Sequence, residues 1–319
     1  MAPRDRDRCG TIGFFGTPFG NRLVTECPKL KKKKLDRLAA SREFYAMMAA
    51  AAGGELRDDL ERAFEFVPRE HFLGPGPWHA VSLPSGLYVQ TPTDDPIHVY
   101  QNVVFALNRE KRIHNGEPQL HGQLLGALHP VRGNTVLHIG CGTGYYSAVL
   151  AQLIGLSGKV IAYEIEPELA RRAADKLKPW ENVEVRVASG TEGELPRCDA
   201  IYVNAGATHP AVNWLDALND NGRLVFPLTG VDRFGVSMLV TRLKNAFSAK
   251  PVGYCGFIDC VGATDPDEGV AVTAAFRSGE LWKVQSLIRN DQPDKAAVLI
   301  GKGWWLSSSP GTHNTSEQV

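Results

Sequence analysis

The sequence predicts an α/β protein with a doubly wound, mostly parallel sheet, and three observations carry that reading. From Asn134 onward, short β-branched runs alternate with amphipathic helical stretches, the pattern that lays helices on both faces of a parallel sheet. A glycine-rich turn, Gly140-Cys141-Gly142-Thr143-Gly144, joins the first of these runs to the first of these helices, and doubly wound sheets bind ligands at such points. The chain is also long and apolar enough for a large core, with 319 residues, 43% hydrophobic and 22% charged, values that argue against global disorder.

Taken in order, residues 1–34 are rich in Gly, Pro and Arg and end in Lys31-Lys32-Lys33-Lys34; they read as a disordered basic leader. A helical pattern begins at Leu35. Leu56, Leu60, Ala63, Phe64 and Val67 share one helical face, and Pro68 stops that helix. Gly74 to Pro96 is proline-rich and reads as irregular chain with short extended pieces. Leu120, Leu124, Leu125 and Leu128 restore helical spacing before Pro130, so 35–133 is a helical, substrate-side region. The core of the fold is expected over 134–261. Thr135–Ile139 is its first strand, and Tyr146, Val149, Leu150, Leu153 and Ile154 line the helix that follows. Lys159–Glu164 is the second strand, and Leu169, Ala173 and Leu177 mark the next helix. Val183–Val187, Ala200–Val203, Arg223–Pro227, Ser237–Arg242 and Phe257–Val261 supply further strands. A small α+β extension is expected over 262–306, with a helix near Gly269–Arg277 and strands near Val284–Ile288 and Ala296–Ile300. Residues 307–319 are polar and read as a flexible tail.

Composition narrows function by exclusion. Lys+Arg and Asp+Glu are equal at 35 each, which removes any global electrostatic case for nucleic acid or an anionic membrane. No apolar run approaches the about 18–20 residues needed to span a bilayer. Six cysteines are spread without a CxxC pair, so neither a disulfide framework nor a metal site is indicated, and a reducing, cytoplasmic setting is expected.

The chemistry gathers at the glycine turn. Glycines at 140, 142 and 144 give GxGxG rather than the GxGxxG of dinucleotide sites. Lacking Cβ atoms, they let the turn fold tightly and let a ligand approach the backbone. Glu164 ends the next strand, 20 residues after Gly144, where an acidic side chain accepts hydrogen bonds from a ribose diol. Such a carboxylate serves S-adenosylmethionine and NAD alike. No Ser/His/Asp or paired-carboxylate constellation is evident.

The run VLHIGCGTGYYSAVLAQLIGLSGKVIAYEIEPELA resembles the cofactor half of the protein-L-isoaspartate (D-aspartate) O-methyltransferases, a family within the class I S-adenosylmethionine-dependent methyltransferases with a Rossmann-like sheet. FEFVPREHF (Phe64–Phe72), NVEVRVASGTEG (Asn182–Gly193), NAGATHP (Asn204–Pro210) and NGRLVFPLTG (Asn221–Gly230) extend the likeness over Leu35 to Val261. The resemblance implies a carboxyl methyltransferase that repairs isoaspartyl and D-aspartyl sites in proteins. It places Ile139, Gly140, Cys141, Gly142, Thr143 and Gly144 around the methionine moiety, Glu164 and Ile165 at the ribose, and Ser189 and Gly190 at the adenine edge. His121 falls near the cofactor, and Asn204 and Ala205 near the reacting centre.

Two departures bear on the acceptor. Aligned on Pro118, the family's Thr-Ile-Ser-x-Pro segment reads His114-Asn115-Gly116-Glu117-Pro118 here, so glycine replaces serine and a carboxylate is added. Asn115, Gly116 and Glu117 are therefore the expected pocket wall. Ser189 replaces the usual aspartate before Gly190. A carboxylate acceptor needs no general base, whereas a hydroxyl acceptor would call on His114, His121 or His209. Two other classes of reading stay open at this point: a related enzyme with a different peptide or small-molecule acceptor, and a non-catalytic cofactor-binding module. An NAD oxidoreductase is allowed on fold grounds alone.

Overall fold

A computed structural model describes residues 36–82, 85–290 and 292–311. The expected basic leader and residues 312–319 of the expected tail lie outside the described residues.

The helical N-terminal region forms as its spacing predicts. Asp36 caps α1 (Arg37–Ala50) by accepting from the Leu38 and Ala39 amides at 3.1 and 3.3 Å, which satisfies donors that a helix start leaves open. After α2 (Arg57–Phe66) comes α3 (Arg69–Leu73). Tyr45 of α1 meets Phe64 of α2 edge-on at 6.1 Å. Two small hairpins follow, β1 (His79–Ser82) with β2 (Leu87–Gln90), and β3 (Ala106–Asn108) with β4 (Ile113–His114). Pro118 opens α4 (Pro118–Leu128), a position where its missing N–H costs nothing.

Beyond α4 the chain alternates: β5 (Thr135–Ile139), α5 (Tyr145–Ile154), β6 (Lys159–Glu164), α6 (Pro167–Lys176), β7 (Val183–Val187), β8 (Cys198–Val203), α7 (Val212–Ala217) and β9 (Leu218–Thr229). Then come β10 (Phe234–Leu243), β11 (Ala246–Gly256), α8 (Pro266–Arg277), β12 (Ser286–Ile288), β13 (Ala297–Ile300) and β14 (Trp305–Ser307). One ten-stranded sheet has the order β13-β14-β12-β11-β10-β9-β8-β5-β6-β7. Strands β5 to β9 are parallel, and the remainder are antiparallel. The sheet is therefore mixed rather than mostly parallel. The change comes at β9, where the Arg233 amide bonds the Gly230 carbonyl in a tight turn, and so short a link joins only antiparallel neighbours.

Residues alternate between two core layers. Val136, Val160, Ala162, Ala200 and Tyr202 face α1, α2, α4 and α5. Leu137, Ile139, Ile161, Ile201 and Val203 face α7, α8 and the chain after residue 262. The extension is continuous with this second layer: Leu281, Leu287, Leu299, Trp304 and Leu306 are buried in it. Glu268 on α8 fixes the last turn, accepting from the Lys302 amide at 2.8 Å, Trp304 Nε1 at 3.1 Å and His209 Nδ1 at 2.6 Å.

Two further sequence expectations need correction. Phe257–Val261 is not a strand; it leaves the ladder and crosses the strand ends, where Gly206 N–H bonds the Ile258 carbonyl and Cys260 N–H bonds the Gly206 carbonyl. The expected tail starts too early, because Ser307 ends β14 with 2% exposure and accepts from the Gln285 amide at 2.8 Å. Among the described residues no helix is long and apolar enough to cross a membrane.

Candidate functional site

A cavity of about 790 Å³ lies beyond the carboxyl ends of β5, β6 and β8. Of the residues singled out from the sequence, all but Gly144 and His209 line it. The loop after β5 doubles back at once: the Gly140 and Cys141 amides both donate to the Tyr163 carbonyl, at 2.9 and 3.1 Å. Its glycines adopt φ of 73°, 58° and 94°, a region costly for residues with a Cβ. Gly144 serves packing instead of the cavity, since a Cβ there would lie 2.6 Å from Leu177 Cδ1.

Glu164, at the tip of β6, is 6% exposed. Its Oε2 accepts from the Gly142 amide at 2.7 Å and its Oε1 from the Glu166 amide at 3.0 Å. Each oxygen keeps one acceptor site in reserve. Burial raises its pKa above the ordinary 4.5, and the Glu166 and Gly142 amides oppose that shift. Nearby, the Ser189 hydroxyl is engaged with Thr191 Oγ1 at 2.8 Å, and Thr191 in turn donates to the Val261 carbonyl at 2.9 Å. Gly190 lies against Ile139, leaving no room for a Cβ.

The opposite wall is built by the hairpin ahead of α4. Asn115 pairs with Phe105 twice, donating its amide to the Phe105 carbonyl at 3.0 Å and accepting from the Phe105 amide on Oδ1 at 2.8 Å. Buried Arg69 donates to the Val99, Gln101 and Val103 carbonyls, each at 2.7 Å. That holds the loop from which Asn102 Nδ2 donates to Glu117 Oε1 at 2.6 Å. The added carboxylate is thus bound locally at the start of α4, where the helix dipole favours it. Gly116 has φ 79°, and a Cβ there would lie 2.0 Å from His121 Nε2. The imidazole occupies the space that a serine side chain at 116 would need.

His121 stacks on Tyr146 at 3.7 Å and 7°, with Nδ1 2.6 Å from the Tyr202 hydroxyl. Burial holds its pKa well below the ordinary value. Just past the end of β8, Asn204 Nδ2 donates to His138 Nε2 at 2.7 Å, and His138 Nδ1 donates to Ser147 Oγ at 2.8 Å. Burial pushes the His138 pKa down to about 3. Four residues that line the cavity each carry a buried polar atom without a partner: Asn115 Nδ2, His121 Nε2, Tyr146 Oη and Asn204 Oδ1. Unpaired buried polar atoms are rare in folded proteins and call for an explanation, which a ligand's groups would supply at this cavity. The two basic side chains at the wall are already paired, Lys111 with Glu166 at 2.5 Å and Arg233 with Asp259 at 2.9 Å.

His114 also lines the cavity, bound to the Tyr88 hydroxyl at 2.9 Å. His209 does not; it serves Glu268. His138, Tyr146, Tyr202 and the rim from Tyr254 to Val261 escaped the sequence reading. His138 and Tyr202 are register partners on β5 and β8, so two polar residues in otherwise apolar strands, facing the same side, were the available signal. The rim residues belong to no motif.

The sequence pattern of the family described as Protein-L-isoaspartate(D-aspartate) O-methyltransferase (PCMT) matches residues 50–265. The chain is 36% identical over 200 residues to the protein-L-isoaspartate O-methyltransferase of Methanocella arvoryzae, covering 61% of this chain and 95% of the relative. Among solved structures, a protein-L-isoaspartate O-methyltransferase superposes with TM-score 0.58 at 22% identity, over 79% of this chain and 74% of the other. A Plasmodium falciparum protein of the same description, in complex with S-adenosyl-L-homocysteine, superposes with TM-score 0.52 at 18% identity, over 67% and 98%. The last two similarities concern the fold.

Proposed function

This chain belongs to the protein-L-isoaspartate(D-aspartate) O-methyltransferase family, and on that premise we propose that it methylates the free carboxylate of isoaspartyl residues in damaged proteins, using S-adenosylmethionine held in the cavity described above. The observation that carries the cofactor reading is Glu164, a buried carboxylate fixed by two amides with one acceptor site left on each oxygen for a ribose diol. Gly140 and Gly142 offer a side-chain-free approach to backbone, and unpartnered Asn204 Oδ1 suits an ammonium. Ile165 and Ile139 give apolar wall beside the Ser189-Gly190 turn. When bound, S-adenosylmethionine supplies a methyl group made electrophilic by the sulfonium. The chain's own work is to align the acceptor and keep water out, a proximity effect worth up to about 7–11 kcal/mol. No base is required, because an ordinary carboxylic acid titrates near about 4 and is ionised at neutral pH. The buried, uncharged imidazoles of His121 and His138 fit that division of labour. Four buried free thiols, Cys141, Cys198, Cys255 and Cys260, support a reducing, cytoplasmic setting.

The test is methyl transfer from labelled S-adenosylmethionine to matched peptides that contain isoaspartate or ordinary aspartate. Base-labile label on the isoaspartyl peptide alone is expected. Label on neither, with the cofactor still bound, would move the activity to another acceptor and trace the change to Gly116 and Glu117.

A further inference from the structure

We propose that the acceptor carboxylate is gripped by two uncharged N–H donors, Asn115 Nδ2 and His121 Nε2, with the Tyr202 hydroxyl holding His121 in the tautomer that donates. The inference rests on the functional reading above and adds to it the groups that recognise the acceptor.

Asn115 is orientated by its own backbone neighbours. Its Oδ1 is committed to the Phe105 amide, so Nδ2 is the uncommitted end of a cavity-lining side chain, buried and without a partner. The tautomer of His121 follows from a similar count. Among the described residues, His121 Nδ1 is the one hydrogen-bond partner of the Tyr202 hydroxyl. Burial keeps that phenol protonated, and its O–H has nowhere else to donate. A buried hydroxyl proton left unpaired is costly, so Tyr202 donates to Nδ1 and the ring proton resides on Nε2. That atom is also buried and unpartnered, against Gly116, which contributes no side chain of its own.

Charge supports the same assignment. Lys111 and Arg233 are tied to Glu166 and Asp259, so the cavity offers an incoming carboxylate no free cation among its described residues. Neutral donors aimed at an ionised acceptor make strong, short bonds. Tyr202 touches neither substrate nor cofactor in this arrangement and acts as a positioning residue.

The experiment is calorimetric binding of an isoaspartyl peptide to the full chain saturated with S-adenosylhomocysteine, paired with the imidazole 15N spectrum. Asn115→Asp keeps the acceptor for the Phe105 amide and swaps the amide donor for a carboxylate oxygen. Peptide affinity should fall about 10- to 100-fold while S-adenosylhomocysteine binds within about twofold of the parent. The parent spectrum should place the His121 proton on Nε2, and Tyr202→Phe should release it to both nitrogens. Unchanged peptide affinity in Asn115→Asp, an equal loss for both ligands, or a parent proton on Nδ1 each overturns the proposal. A parent that binds S-adenosylhomocysteine but not the peptide overturns the functional reading, and the proposal with it.

Discussion

Glu164 carries two opposed demands. In the free protein its burial favours the protonated form, so its folded pKa lies above its unfolded one. The stability it contributes is fully present below the unfolded value and is lost as pH rises through the folded one. Ligand binding reverses the preference, because only the ionised carboxylate accepts from both the two amides and a diol. Affinity for S-adenosylhomocysteine is therefore expected to fall as pH drops through the pKa of Glu164, which burial raises above its ordinary 4.5. Glu164→Gln should bind about 10- to 100-fold more weakly at pH 7 and lose that pH dependence; calorimetry across the acid range checks both. This residue was legible from sequence because strand end and spacing fix its place. Asn115 and His121 were legible only as positions in a resemblance, since their partners Phe105 and Tyr202 are set by pairing across the fold. Tyr202 itself hid among apolar strand neighbours.

At the scale of elements, the loop between β5 and α5 couples ligand binding to helix packing. Gly144 sits at the start of α5 with its missing side chain against Leu177 at the end of α6. Gly279 offers a control, having a similar φ of 77° and nothing within 4 Å of a built Cβ. Gly144→Ala is expected to destabilise by about 2–4 kcal/mol, strain and overpacking together, and Gly279→Ala by about 1–2 kcal/mol from strain alone. Equal losses in chemical denaturation would remove the packing role of Gly144. Strands β5, β6 and β7 matched their sequence boundaries residue for residue, because Asn134, Gly158 and Asn182 stand immediately before these short runs. β9 and β10 run past their expected bounds, β9 through polar residues such as Asn219 and Asp220, whereas β11, interrupted by Lys250, Pro251 and Gly253, has no counterpart among the expected strands. Phe257–Val261 has strand composition, yet its backbone groups go to Gly206, a contact no local pattern announces. Helix α7, at six residues, is too short for a period to register.

At the scale of the whole molecule, residues 262–311 complete the fold rather than decorate it. They cover Val236, Met238 and Val240 with Leu281, Leu287, Leu299 and Leu306, and Glu268 locks the closing turn through Lys302 and Trp304. Truncation after Val261 is expected to give an insoluble or unfolded product, and the intact chain to melt in one transition. A soluble truncated protein that still binds S-adenosylhomocysteine would show the extension to be dispensable.

The wall of the cavity is drawn from points scattered between Val81 and Phe276. On the ribosome, the glycine loop and Glu164 emerge well before the rim from Tyr254 to Val261 and before α8. Long sequence separations of this kind slow folding, so closure of the pocket waits on residues that are made late.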